Sequence, residues 1–211
     1  LVELYLVVNA QTPCDVQQNF TKNIVFEPSP TIYAGADATY CESEGTIVVN
    51  DATVSNQTEL RWSVVVGSGV LSNQATITPS YTPSAQDYIN GEVRLEALAI
   101  GVPECQDVVD EKIITLIPIP TVDAGEDETI CQNQSYTVQN PSVLNTSSYY
   151  WSTPDGTGTL SASPNDLVAV YTPGTDETGI IRLVLTAEAD GGCGDVVTDE
   201  LLLTINPVAT S

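Results

Sequence analysis

The sequence predicts an all-β chain of tandem β-sandwich repeats joined end to end, and three observations carry that expectation. The phrase Ala34-Gly-Ala-Asp-Ala-Thr-Tyr-Cys41 returns as Ala124-Gly-Glu-Asp-Glu-Thr-Ile-Cys131, 90 positions on (124 − 34 = 90). Further landmarks follow each copy in the same order, which is how repeated modules announce themselves. Within a repeat the apolar residues alternate with polar ones at period two, the pattern of a strand with one buried face.

Each landmark has its own reading. Trp62 aligns with Trp151, and Tyr81-Thr-Pro-Ser84 with Tyr171-Thr-Pro-Gly174. Val93-Arg-Leu-Glu-Ala-Leu-Ala99 aligns with Ile181-Arg-Leu-Val-Leu-Thr-Ala187, and Cys105-Gln-Asp-Val-Val109 with Cys193-Gly-Asp-Val-Val197. The opening belongs to the same pattern. Leu4, Leu6 and Val8 take the places of Leu95, Ala97 and Ala99, Cys14 echoes Cys105, and residues 23–30 match 113–120. The expected organisation is therefore the C-terminal strands of a truncated preceding repeat over 1–33, one repeat over 34–120 and another over 121–211.

Strand candidates rich in β-branched residues are Thr46–Val49, Leu60–Val64, Val93–Ala97 and Glu111–Ile117. Breakers separate them at Gly67-Ser-Gly69, Thr82-Pro-Ser84, Asn90-Gly91 and Val102-Pro103. No segment has a helical stripe with caps. About seven short strands in roughly 90 residues, with a Trp on the third, predict an immunoglobulin-like sandwich. Ile117-Pro-Ile-Pro120 then serves as a short stiff linker, because proline blocks the ladder and restrains the backbone.

Charge and composition narrow the function. Five Lys and Arg stand against 28 Asp and Glu, a net charge of −23. A nucleic-acid partner is excluded for want of a basic face. Histidine is absent, which removes the commonest general base and the commonest transition-metal ligand. No apolar run is long enough to span a membrane. The carboxylates are scattered rather than paired in a cleft, and no nucleophile or nucleotide motif occurs, so the chain does not read as an enzyme.

Some residues have two readings. Trp62 and Trp151 could stack on a sugar, but a third-strand Trp of a sandwich fills the core. Arg94 and Arg182 fall in the outward phase and should pair with neighbouring carboxylates. Asp123, Glu126, Asp127 and Glu128 crowd the boundary between the two full repeats and form a candidate Ca²⁺ site, Ca²⁺ being a cation that favours several carboxylate oxygens. The bland reading is a solvated acidic turn. Asp37 and Asp127 are expected to accept hydrogen bonds from the backbone of their own turn. Sequons stand at Asn19, Asn56, Asn133 and Asn145.

The cysteines recur at matching positions, which points to structural disulfides in an oxidising compartment. A metal site lacks Cys-x-x-Cys and His, and a catalytic thiol lacks a base. Cys105 and Cys131 are separated by a final strand of about ten residues, roughly 33 Å long, far beyond disulfide reach. With Cys41 placed at the same end of its domain as the hairpin of Cys105, the expected bonds are Cys41–Cys105 and Cys131–Cys193. Cys14 is expected to be unpaired within this chain.

The combination of Ala-Gly-x-Asp-x-Thr-x-Cys, the Trp, Tyr-Thr-Pro, the Arg-Leu strand and the later Cys resembles the PKD-like repeats of giant cell-surface adhesins in Bacteroidota, among them gliding-motility adhesins exported by type IX secretion. The resemblance implies Ig-like modules on the cell surface and many repeats. It also implies a structural or adhesive role, with neighbouring repeats, surface polysaccharide or other cell-surface proteins as partners and no catalytic residues. The alternative is a carbohydrate-binding or spacer module of a secreted polysaccharide hydrolase.

Overall fold

The computed structural model describes residues 1–13, 17–103, 105–146, 148–161 and 166–209. Cys14 lies outside them.

The chain opens with an antiparallel hairpin of β1 (Val2–Asn9) and β2 (Gln17–Ile24). Among the described residues these strands pair only with each other, and Leu4, Tyr5, Leu6, Val8 and Phe20 are exposed.

A complete module follows. Its strands are β3 (Thr31–Tyr33), β4 (Ala38–Cys41), β5 (Ile47–Val48), β6 (Thr53–Ser55), β7 (Glu59–Val66), β8 (Val70–Ser72) and β9 (Ser80–Thr82). A six-residue helix α1 (Ala85–Asn90) leads to β10 (Glu92–Ile100) and β11 (Val108–Ile117). One sheet has the order β4-β11-β10-β7, facing it lies β5-β9-β8, and β3 pairs with β6. β10 alternates buried and half-buried residues without a fault, as the period-two pattern requires. Trp62 sits on β7, the fifth strand of the module rather than the third, because its opening is cut into short pieces. α1 is too short to disturb an all-β reading.

The second module repeats this plan. It comprises β12 (Thr121–Asp123), β13 (Glu128–Cys131), β14 (Tyr136–Thr137), β15 (Ser142–Leu144), β16 (Ser148–Ser152), β17 (Thr159–Ser161), β18 (Val170–Thr172), β19 (Gly179–Glu188) and β20 (Val196–Asn206). Its sheets are β13-β20-β19-β16, β14-β18-β17 and β12-β15.

The two cores share no residue. One gathers Ile47, Trp62, Tyr81, Leu95, Ile114 and Leu116, and the other Tyr136, Trp151, Tyr171, Leu183, Leu203 and Ile205. Trp62 Nε1 donates to Thr76 O at 3.0 Å and Trp151 Nε1 to Leu167 O at 2.9 Å, so each indole is buried with its one donor satisfied.

The repeated phrase marks a change of sheet. After β3 the chain leaves its partner β6 and crosses to pair with β11, and Gly35 and Gly125 make that step at φ +99° and +93°. A Cβ on Gly125 would lie 2.6 Å from Gln139 O, so a side chain is excluded twice over. Asp37 and Asp127 do not serve their own turns. Their carboxylates accept from Ile113 N and Leu202 N, each at 2.8 Å, on the last strand of the module. The short edge strand stops before those amides, and the aspartate completes the ladder in its place.

Candidate functional site: the junction between modules

β4 runs parallel to β11, with Ala38 beside Ile114 and Cys41 beside Ile117. Cys41 therefore ends at the linker, while Cys105 sits in the β10–β11 hairpin at the opposite end of the module. This overturns the expected Cys41–Cys105 and Cys131–Cys193 bonds. Alternation specifies which face a side chain occupies and is silent on whether the opening strand runs with or against the last one.

The bond that forms joins Cys41 of the first module to Cys193 of the second, with Cα atoms 5.6 Å apart and 152 residues of sequence between them. Cys193 lies in the β19–β20 hairpin, which reaches back to the linker end of its neighbour. Cys105 and Cys131 are free thiols.

Polar contacts surround the bridge. Ser43 Oγ donates to Asp195 Oδ2 at 2.9 Å across the junction. Glu42 Oε2 accepts from Ile119 N at 2.8 Å, and Asn145 Nδ2 donates to Ile119 O at 3.3 Å. The linker is thus held by one residue from each module. Gly191 is required here, since a Cβ would meet Ile117 at 3.1 Å with φ already +65°. A depression of ≈ 240 Å³ opens beside the linker, walled by Tyr88 and Ile89 from α1 and by Pro118 and Asn145.

Asp123, Glu126, Asp127 and Glu128 do line one open depression of ≈ 240 Å³. Several of their oxygens already serve backbone amides: Asp123 that of Gly125, Glu128 that of Thr129 and Asp127 that of Leu202. Among the described residues no three or more His, Cys, Asp or Glu converge where a metal ion could be held. Arg94 pairs with Glu92 at 2.7 Å, and Arg182 with Asp155 at 2.5 Å, all on the outer surface.

One recurrent network escaped the sequence reading. The fully buried Tyr81 donates its hydroxyl to Asp87 Oδ2 at 2.8 Å and accepts from Gly69 N at 2.7 Å. Asp87, also fully buried, accepts in addition from Ser68 N and Ser84 N. In the second module Tyr171 donates to Glu177 Oε2 at 2.7 Å and accepts from Gly158 N, while Glu177 accepts from Thr157 N and Gly174 N. Burial, then the hydrogen bond to the carboxylate, pushes both tyrosines up to about 12. Burial alone would raise the two carboxyls, but the amide and hydroxyl donors outweigh it and hold both below the usual carboxylate range. The signal was present as Gly-x-Gly, Tyr-Thr-Pro and an acid three residues after the position following the proline.

The described residues thus define a pair of immunoglobulin-like β-sandwich modules clamped to each other by a disulfide. No family model matches the chain, and no curated protein matches it. Solved structures do. Immunoglobulin domains 1–4 of Sidekick-1 superpose with TM-score 0.50 at 13% identity, over 96% of this chain and 57% of that one. Extracellular cadherin domains 1–3 of protocadherin gamma C5 give 0.45 at 13%, over 96% and 76%. Domains 1–2 of human protocadherin-24 give 0.46 at 8%, over 85% and 99%. At these identities the likeness is one of fold. No described helix is long and apolar enough to cross a membrane.

Proposed function

We propose that this chain is a braced segment of an extracellular array of Ig-like modules, at 34–120, to which the pairing of β3 with β6 adds Thr31–Tyr33, and at 121–211, within a cell-surface adhesive or filament protein of the PKD-like kind. Its neighbours are modules of the same chain, and its outward partners are surface polysaccharide or other cell-surface proteins. The observation that carries the reading is the bridge from Cys41 to Cys193. A disulfide inside one module stabilises that module. One between modules fixes their relative placement, and it persists only in an oxidising compartment. The solved structures of similar fold are cadherin and immunoglobulin domains, which agrees with an adhesive module. No catalytic step and no Ca²⁺ enters this reading. Gliding motility and type IX export fit it through the resemblance of the repeat phrase.

Two measurements test it together. Small-angle scattering on the oxidised chain should give one sharply defined maximum dimension, and a reductant should broaden the distribution without unfolding either module. A glycan array should show no tight, saturable binding to a single soluble oligosaccharide. Strong binding to one glycan, with scattering indifferent to reductant, would replace the reading by a carbohydrate-binding module of a secreted hydrolase.

A further inference from the structure

The two free thiols among the described residues occupy the same places as the two bonded ones. Cys131 ends β13 beside Asn206, as Cys41 ends β4 beside Ile117. The amide of Val208 donates to Gln132 Oε1 at 3.3 Å, repeating the contact of Ile119 with Glu42, so the chain leaves the second module as it leaves the first. At the other end Cys105 lies in the β10–β11 hairpin, as Cys193 does in β19–β20. Its Sγ faces Glu27 O at 3.9 Å. Register places Glu27 where Ile117 stands, since Ile24 pairs with Val2 as Ile114 pairs with Val93. The thiol therefore points to the strand position beside which an opening-strand cysteine would end. Asn56 Nδ2 donates to Ser29 O at 3.2 Å, as Asn145 Nδ2 does to Ile119 O, so this earlier junction already has the form of the later one.

We infer that Cys105 and Cys131 are two half-bridges of one ladder: Cys105 takes the opening-strand cysteine of a module placed before it, and Cys131 the hairpin cysteine of a module placed after it. Each rung spans one junction, and every module carries one half of two rungs. The chemistry is thiol–disulfide exchange with a small disulfide such as oxidised glutathione. The two protein thiols lose two electrons and two protons, and the oxidant leaves as two thiols. The bonds of Asn56 to Ser29 and of Val208 to Gln132 position the strands so that the sulfurs meet in register. This inference rests on the modular reading above.

Two extended chains test it. The first continues directly from Ala209 into a second copy of residues 121–209, and the second places a copy of residues 121–179 directly before Leu1, completing the partial module. Each is refolded with a glutathione redox couple, alkylated without reductant, digested and mapped by mass spectrometry. Expected are a bond from Cys131 to the added copy of Cys193 in the first and from Cys105 to the added copy of Cys131 in the second, with Cys41–Cys193 intact. In the 211-residue chain itself, Cys105 and Cys131 should be alkylated in full while Cys41 and Cys193 are protected. A folded added module, shown by a buried tryptophan emission, whose cysteine stays alkylatable would overturn the ladder and leave the modular reading standing. An added module that does not fold would overturn the modular reading itself. Cys105 bonded to Cys131 in the unextended chain would overturn the ladder outright.

Discussion

The two modules share one backbone plan and hold it with different chemistry. In the first, Lys112 projects inward from β11 with its side chain 3% exposed, reaching Ala36 O and the carboxylate of Asp51 at 3.2 Å. In the second, register puts Leu201 in the place of Lys112 and Asn140 in that of Asp51, and Leu201 packs in the core at 0% exposure. The acidic depression of the second module lies where the first has this ion pair. Likewise Asp87 sits on a capped helix, with Ser84 as N-cap and Gly91 closing it in the left-handed region at φ +75°. Glu177 has no helix beneath it and reaches the same tyrosine position with one more methylene. The backbone constrains where a carboxylate oxygen must be. It leaves open what carries it there.

The largest expected effect breaks the comparison at the tyrosines' partners. Asp87→Ala leaves the buried Tyr81 hydroxyl and two part-buried amides without an acceptor and should cost about 2–4 kcal/mol in the first module. Glu177 is half-buried, water can replace it in part, and Glu177→Ala should cost about 1–3 kcal/mol. Hydrogen exchange read module by module by mass spectrometry separates the two. Equal losses would mean that burial is not what distinguishes them.

A smaller effect comes from pH. A tyrosine raised in the folded state stabilises fully below its unfolded value near 10, and that contribution disappears as pH climbs to about 12. Each should contribute roughly 2–3 kcal/mol, lost over this window. Tyr171→Phe should remove most of the second module's loss over this window, the remainder coming from Tyr136, which burial also raises, and should leave the first module unchanged, as followed by tyrosinate absorbance at 295 nm together with circular dichroism. For Asp87 and Glu177 the sign reverses. Their folded values are depressed, so their contribution is present above about pH 4 and lost as pH falls below it.

The smallest change sharpens the comparison. Carrying the second module's solution into the first, Lys112→Leu with Asp51→Asn, should shift stability by less than about 1 kcal/mol or raise it, because an aliphatic side chain commonly matches an ion pair whose cation is buried. Lys112→Ala alone should lower it by about 2–3 kcal/mol, since it leaves a cavity and leaves the Asp51 carboxylate without its cation. Thermal melts of the three chains decide it.

The same comparison shows what the sequence made legible. Repeated landmarks and period-two strands identified the modules, because both are properties of local text. The buried Lys112 was passed over, although Lys112, Ile114 and Leu116 share one phase of β11, which puts the charge inside. The acid partners of Tyr81 and Tyr171 were harder to see, because Asp87 and Glu177 differ in type and in local structure. Cysteine pairing was out of reach. It depends on the parallel docking of a four-residue strand, which no spacing encodes, and on contacts between modules rather than within one. The acidic turn is only partly legible for a related reason. Four carboxylates in six residues attract a cation on paper, but backbone amides from β20 and from the turn itself claim the oxygens first.

The bridge at Cys41 also determines how far this chain can be drawn out. An extended chain spans at most about 3.3–3.6 Å per residue. The 152 residues between Cys41 and Cys193 therefore represent roughly 500 Å of stored length. A pull applied at Leu1 and Ser211 passes from one sulfur to the other and never reaches that length, so only the 40 residues before Cys41 and the 18 after Cys193, roughly 200 Å of extended chain, can be drawn out. In mechanical terms the disulfide caps the segment's reach and withholds most of its length from the load.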